Sequence, residues 1–249
     1  MAVQSFKNAG LWIDGFEVAG QIRATRLEYG AEALDATTIS ANTRQRAGGL
    51  KNVTLTHEGF WEATASSSGI DAVLFDGMGD SSTPVTVAPQ NTSEGAVAYL
   101  FKSITTEYTP RGAVGELLNY GVNASADSDL VRGVLLRNST GIGSAGLTGT
   151  AFQLSGSSSG RTLVANLHVI ASDTNGGGST EALLMRIQSA AASSFASPST
   201  EITFAATTGS TSEFVSVAGT SNTWFRAIAT TPSSSGEFWA VVSLGVSTN

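Results

Sequence analysis

Few side chains in this sequence could do chemistry. Histidine is the residue whose charge changes near neutral pH, and there are two, His57 and His168. They lie in the strand-like runs "NVTLTHEG" and "LVANLHVI". In such runs a satisfied or surface histidine is expected, not a catalytic one. "GIGSAG" (141–146) has the spacing of a phosphate-cradling glycine loop, but it leads into "LTGTAF" with no βαβ unit around it. A flexible loop is expected there. "DGMGDSS" (76–82) sets Asp76 and Asp80 four apart, which reads as a helix end and turn before it reads as a cation site. No Gly-x-Ser-x-Gly stands at a strand-to-helix turn, so no hydrolase nucleophile elbow is expected. The absence of cysteine excludes disulfides, thiolate metal sites and a thiol nucleophile. The sequence thus predicts no catalytic residue, no cofactor and no metal.

The bulk composition points to contact rather than catalysis. The 249 residues suffice for one large β domain or two smaller ones. Hydrophobic residues make up 41%, enough for a packed core. Charged residues make up only 13%, about half the usual share of roughly 25%. Ser, Thr, Gly and Ala take their place, a surface suited to extensive protein–protein contact. The net charge is −7 and no basic run stands out, which argues against a phosphate-neutralising DNA surface. The start, "MAVQSFKNAG", has no apolar core of a signal peptide. The four Asn-x-Ser/Thr triplets at 52, 91, 123 and 138 are therefore read as coincidences of a Ser/Thr-rich chain.

The elements that must position these residues alternate with period two. Candidate strands include 11–20, 22–30, 51–61, 84–88, 96–105, 115–124 and 130–138. Further candidates are 150–155, 161–172, 182–190, 200–206, 213–219, 223–231 and 237–246. Helix signals are few: "SSSGIDAVLFDGMG" (66–79) has an early acid and a terminal glycine, and "ALLMRIQSAAAS" (182–193) fits a helix as well but is read as a strand. The class expected is mainly β with one short helix.

Two stretches share an order of events. "YLFKSITTEYTPRGAVGELLNYGVNAS" (99–125) and "TWFRAIATTPSSSGEFWAVVSLGVSTN" (223–249) each hold an aromatic strand, a Thr-Pro turn, a Gly-Glu and a second strand. Phe101 and Phe225 align at an offset of 124, and Gly115 and Gly236 at an offset of 121. A duplication is the expectation, with domains at 1–128 and 129–249.

Between the second and third candidate strands lies the polar stretch Thr37 to Ala47, with Arg44, Arg46 and then Gly48-Gly49. It is too long for a tight hairpin and too polar for a core, and long loops in compact β proteins are often functional. A reach toward a partner subunit is expected.

This region resembles the tail tube (major tail) proteins of long-tailed bacteriophages. The resemblance rests on Asp35, Thr37 and Thr38, then Arg44, Arg46, Gly49 and Leu50, and then a strand ending in Gly59-Phe60. "GAVAYLFKSITTEYTPRGAVGE" (95–116) with Arg132-Gly133 fits the same style, as does residues 167–226 in the second half. The resemblance implies β-sandwich or half-barrel domains with a flanking helix, in stacked rings with a continuous inner β-barrel. It implies a loop at about 35–50 that reaches the neighbouring ring, with Asp35, Thr37, Thr38, Arg44 and Arg46 as contacts. It further implies self-association as partner chemistry, along with a tape measure protein and tail terminator or tail tip proteins. DNA passes the lumen without specific binding, and the location is the virion tail. Two fused tube domains would make a trimeric ring with pseudo-six-fold symmetry. The competing arrangement has six chains per ring and residues 138–249 outside. A different class also survives, a sugar-binding or decoration β-sandwich carrying Trp224, Phe225, Phe238 and Trp239.

Overall fold

The computed structural model describes residues 8–39, 42–62, 69–142, 148–154, 156–174, 182–230 and 236–247. The elements run β1 Gly10–Ile13, β2 Phe16–Glu17, β3 Ile22–Asp35, β4 Arg46–Phe60, α1 Ile70–Asp76, β5 Thr83–Ala88, β6 Val97–Arg111 and β7 Asn119–Ala126. They continue β8 Val131–Ile142, β9 Phe152–Gln153, β10 Thr162–Thr174, β11 Leu184–Ala190, β12 Ser199–Thr203, β13 Thr211–Ala218, β14 Trp224–Thr230 and β15 Gly236–Ser247. The described residues are mainly β with one short helix, as the alternation predicts.

Two compact units interleave along the chain. The first comprises 1–20, 83–102 and 131–249, and the second 21–82 and 103–130. β6 crosses from the first to the second between Lys102 and Ser103.

In the first unit a sheet ordered β13-β10-β15-β8-β6-β5-β1-β2 curls so that its ends meet. The β1 and β5 backbones reach β10 through hydrogen bonds: Asn166 donates to the Val85 carbonyl at 2.8 Å, and His168 Nδ1 lies 2.6 Å from the Asp14 carbonyl. Trp12, Leu100, Leu135, Val164 and Val241 fill the inside of the curl. The outer face packs on a second sheet, β12-β11-β14-β9, over Leu163, Leu167, Met185, Ile187, Phe225, Val242 and Leu244. β10 and β15 are therefore buried on both faces, which is why "TLVANLHVI" and "FWAVVSLGV" read as nearly continuous apolar runs.

The second unit is an antiparallel sheet ordered β3-β4-β7-β6, with α1 beside it. One face buries Val53, Leu55 and His57 of β4 with Tyr120, Val122 and Ala124 of β7. Ile70 and Leu74 of α1 are buried too. The helix has no side-chain cap at Gly69. Its first-turn acid, Asp71, serves the sheet instead, accepting from Trp61 Nε1 (3.0 Å) and the Tyr108 hydroxyl (2.6 Å). Gly77 closes it, with its N–H on the Val73 carbonyl at 3.1 Å.

Three expectations change. The helix covers only Ile70–Asp76 of 66–79, and residues 63–68 lie outside the described ones. β3 and β4 extend to Asp35 and back to Arg46, so the described part of the polar stretch between them, 36–39 and 42–45, joins the two paired strands. The aligned stretches are not structural equivalents: β6 and β7 pair with each other, whereas β14 and β15 belong to different sheets. Thr109-Pro110 lies within β6 rather than in a turn, and Thr231-Pro232 lies outside the described residues. The similarity of the two stretches reflects period-two patterning and turn-residue chemistry that unrelated β structures share.

Candidate functional site

The second unit offers two features that its own fold does not use. The first is a polar sheet face opposite the buried one. Because side chains alternate along a strand, Arg26 and Glu28 of β3, Thr56 and Glu58 of β4, Asn123 of β7 and Glu107, Thr109 and Arg111 of β6 share this side. All of these but Glu28 line a groove of about 360 Å³ whose floor includes Gly121. Both arginines are held by acids on the same face: Arg111 Nη2 sits 2.7 Å from Glu58 Oε2, and Arg26 pairs with Glu28. The third carboxylate, Glu107, accepts from Asn123 and from the Thr109 hydroxyl. Among these charges acid outnumbers base, three to two. No tryptophan lines the groove. Trp12 is fully buried, and Trp61, Trp224 and Trp239 are half-buried. Phe60 stands at the end of this face, with the Arg23 guanidinium 5.4 Å from its ring centre.

The second feature is the β3–β4 ribbon. β7 joins β4 only from Thr54 onward. Before that, from Asp35↔Arg46 to Tyr29↔Val53, β3 and β4 have only each other among the described residues. Nearly every side chain there is exposed. A lone two-stranded ribbon is marginal in water, yet this one also turns Tyr29, Leu34 and Leu50 outward and carries Ile39 at its tip.

The residues expected to contact a neighbour sit at this tip, in two roles. Asp35 and Thr37 brace it: Thr37 donates its N–H and its hydroxyl to Asp35 Oδ1, and Gln45 N–H donates to the Thr37 hydroxyl at 3.0 Å. Ala36 N–H closes onto the Gln45 carbonyl at 2.9 Å. The two Thr37 bonds hold the Asp35 carboxyl below its usual value. Thr38 and Arg44 are exposed on the loop, and Arg46 is exposed where β4 begins.

The remaining chemical candidates are structural. His168 is fully buried, with Nε2 2.8 Å from the Thr86 hydroxyl, which also meets Asn166 and Ser243. His57 is buried edge-on to Tyr120, ring centres 5.7 Å apart. Burial pushes both imidazoles down to about 4. Gly156–Gly160 spells Gly-x-Ser-x-Gly, but Ser158 is buried and donates to the Thr220 carbonyl at 3.0 Å. The glycine loop at 143–146 lies outside the described residues. The sequence reading missed the polar face altogether. Its signal was the alternation of Arg26, Glu28, Glu58, Glu107 and Arg111 with buried positions, divided among three separate strands.

No family model and no curated protein matches the chain. Among solved structures it is similar to a chain in the virion of a native gene transfer agent particle. That match has 19% identity and a TM-score of 0.42, over 51% of this chain and 97% of that one. It is similar to the SPP1 tail tube at 7% identity and a TM-score of 0.40, over 52% and 78%. It is also similar to the SPP1 Dit protein, described as a hub adsorption apparatus, at 10% identity and a TM-score of 0.39, over 97% and 100%.

Proposed function

We propose that this chain is a structural protein of a bacteriophage tail that polymerises into the stacked rings of a tail tube, the conduit for genome delivery. The observation that carries the proposal is the β3–β4 ribbon: two strands extended beyond their sheet, apolar residues turned outward, its tip braced from within by Asp35 and Thr37. A segment of this kind is stabilised when a neighbouring subunit covers it. Its location matches the loop that the Asp-x-Thr-Thr resemblance assigns to inter-ring contact, and Arg44 and Arg46 are its outward charges.

The polar face of the second unit's sheet supplies the lumen. Arg26 and Arg111 are paired with acids on the same face, which lowers the counterion release that phosphate contacts would gain there. The ring holds six copies, with the lumen-facing sheet drawn from the second unit, residues 21–82 and 103–130. Support for six over three is that β14 and β15 do not reproduce the β6–β7 pairing. The tape measure protein and the tail terminator and tip proteins are its further partners in the virion tail. The role is structural: both histidines are spent on packing.

Negative-stain and cryo-electron microscopy of the purified chain test this. Cross-striated cylinders with six second-unit sheets around the bore are expected. A monomer at high concentration in every salt, also after addition of tail extract, overturns it.

A further inference from the structure

Every large hydrophobic side chain that the described residues leave exposed belongs to the second unit. Apart from Phe75 in the helix and Met78 just after it, they fall into two groups at opposite ends of the sheet. Tyr29, Leu34, Ile39 and Leu50 are on the ribbon; Phe60, Val114, Leu117 and Leu118 are at the other end. β4 connects them, running from Arg46 in the ribbon to Phe60. At ~3.3 Å per residue its ends stand about 45 Å apart.

We infer that the end formed by Phe60 and the 112–118 turn is the seat for the ribbon tip of a second copy of this chain. The inference rests on the tube reading above and names the surface that receives the ribbon.

The seat is preformed. Glu116 N–H donates to the Ala113 carbonyl at 3.0 Å, with Gly115 at φ +89°, a turn that requires glycine at its third position and points Val114 fully into solvent. The Asn119 amide donates to the Leu117 carbonyl at 2.9 Å, and Trp61 N–H to the Leu118 carbonyl at 2.9 Å, which fixes the turn against the end of β4. Opposite charges are available as well: the tip carries Arg44 and Arg46 beside Asp35, and the seat carries Glu116 and Glu62 beside Arg23. Two unlike patches at opposite ends of one strand cannot meet within a chain. A contact between them is heterologous, and when it does not close it repeats without limit along the strand direction. A stack of rings needs such an axis.

The chain has no cysteine, so introduced thiols report contacts without background. Ile39→Cys and Leu117→Cys chains are mixed, assembled and treated with a short bismaleimide. A dimer band is expected from the mixture and from neither variant alone, and an Ile39→Cys/Leu117→Cys chain should give a ladder. Ile39→Cys with Val114→Cys serves as the second pair. Tubes visible by microscopy without either mixed crosslink overturn the inference and leave the tube reading standing. So does efficient self-crosslinking of Ile39→Cys alone, which means tip-to-tip contact. A chain that neither polymerises nor crosslinks overturns both.

Discussion

Thr37 donates both its backbone N–H (2.9 Å) and its hydroxyl (2.5 Å) to one carboxylate oxygen of Asp35. This pair turns an exposed loop into a braced one. Asp35→Ala removes the one acceptor of both bonds and should leave the sheet intact while the tip loosens. Amide exchange at Thr37 and Gln45 should speed at least tenfold, with core amides unchanged. Because the Asp35 carboxyl is held below its usual value, the brace is complete at neutral pH and is lost only as acid titrates Asp35 in the folded chain. A carboxyl-carbon NMR titration with a midpoint at or above that of an unstructured Asp would contradict the brace.

Arg44→Glu with Arg46→Glu should yield a folded subunit that does not polymerise. Each exposed ion pair is worth only ~0–1 kcal/mol, but the contact recurs at every subunit of every ring. Circular dichroism should match the parent, and electron microscopy should show no cylinders. Normal tubes from this variant would remove the two arginines from assembly.

Glu28→Gln with Glu58→Gln should give the polar face an affinity for duplex DNA that the parent lacks at physiological salt. The two substitutions free Arg26 and Arg111 from their acid partners. Two new phosphate contacts should give a slope of log K on log salt near about −1.8. If the variant binds no better than the parent, ion pairing is not what keeps this face from holding DNA.

Acid should destabilise the fold through its histidines. Burial lowers His57 and His168 to about 4 in the folded chain, against 6.5 for a free imidazole. Between those values the unfolded chain binds protons that the folded one does not. Stability is therefore complete above pH 6.5 and falls by ~1.4 kcal/mol per pH unit for each histidine as pH drops toward 4. Urea midpoints at pH 7.5, 6 and 5 measure this, and a flat profile would contradict it.

The two histidines should also differ on substitution. Neither ring nitrogen of His57 has a partner among the described residues, so His57→Leu should be nearly neutral at pH 7.5 and should flatten the acid dependence. His168→Leu deprives the Asp14 carbonyl of its partner and should cost ~1–3 kcal/mol. Equal costs at pH 7.5 would refute the distinction.

What the sequence determined by itself was local. Period-two alternation identified β strands, because a strand with one buried face must alternate, and the early acid and terminal glycine of 66–79 marked the helix to within a few residues. The polar run from Thr37 to Ala47 marked a segment too long for a tight hairpin and too polar for a core. Tertiary structure decided what these pieces are for. Arg26, Glu58 and Arg111 come from strands far apart in the chain and share a face only because β3, β4 and β7 are in register with β6. The aligned halves looked like a duplication because turn residues and alternation recur in any β protein. Strand partners are set by long-range backbone hydrogen bonds, which leave no local mark, and these placed β14 and β15 in different sheets. The exposure of Leu34, Leu50, Val114 and Leu117 was equally illegible. An apolar residue in a strand pattern reads as core until the fold shows that none of the described residues covers it.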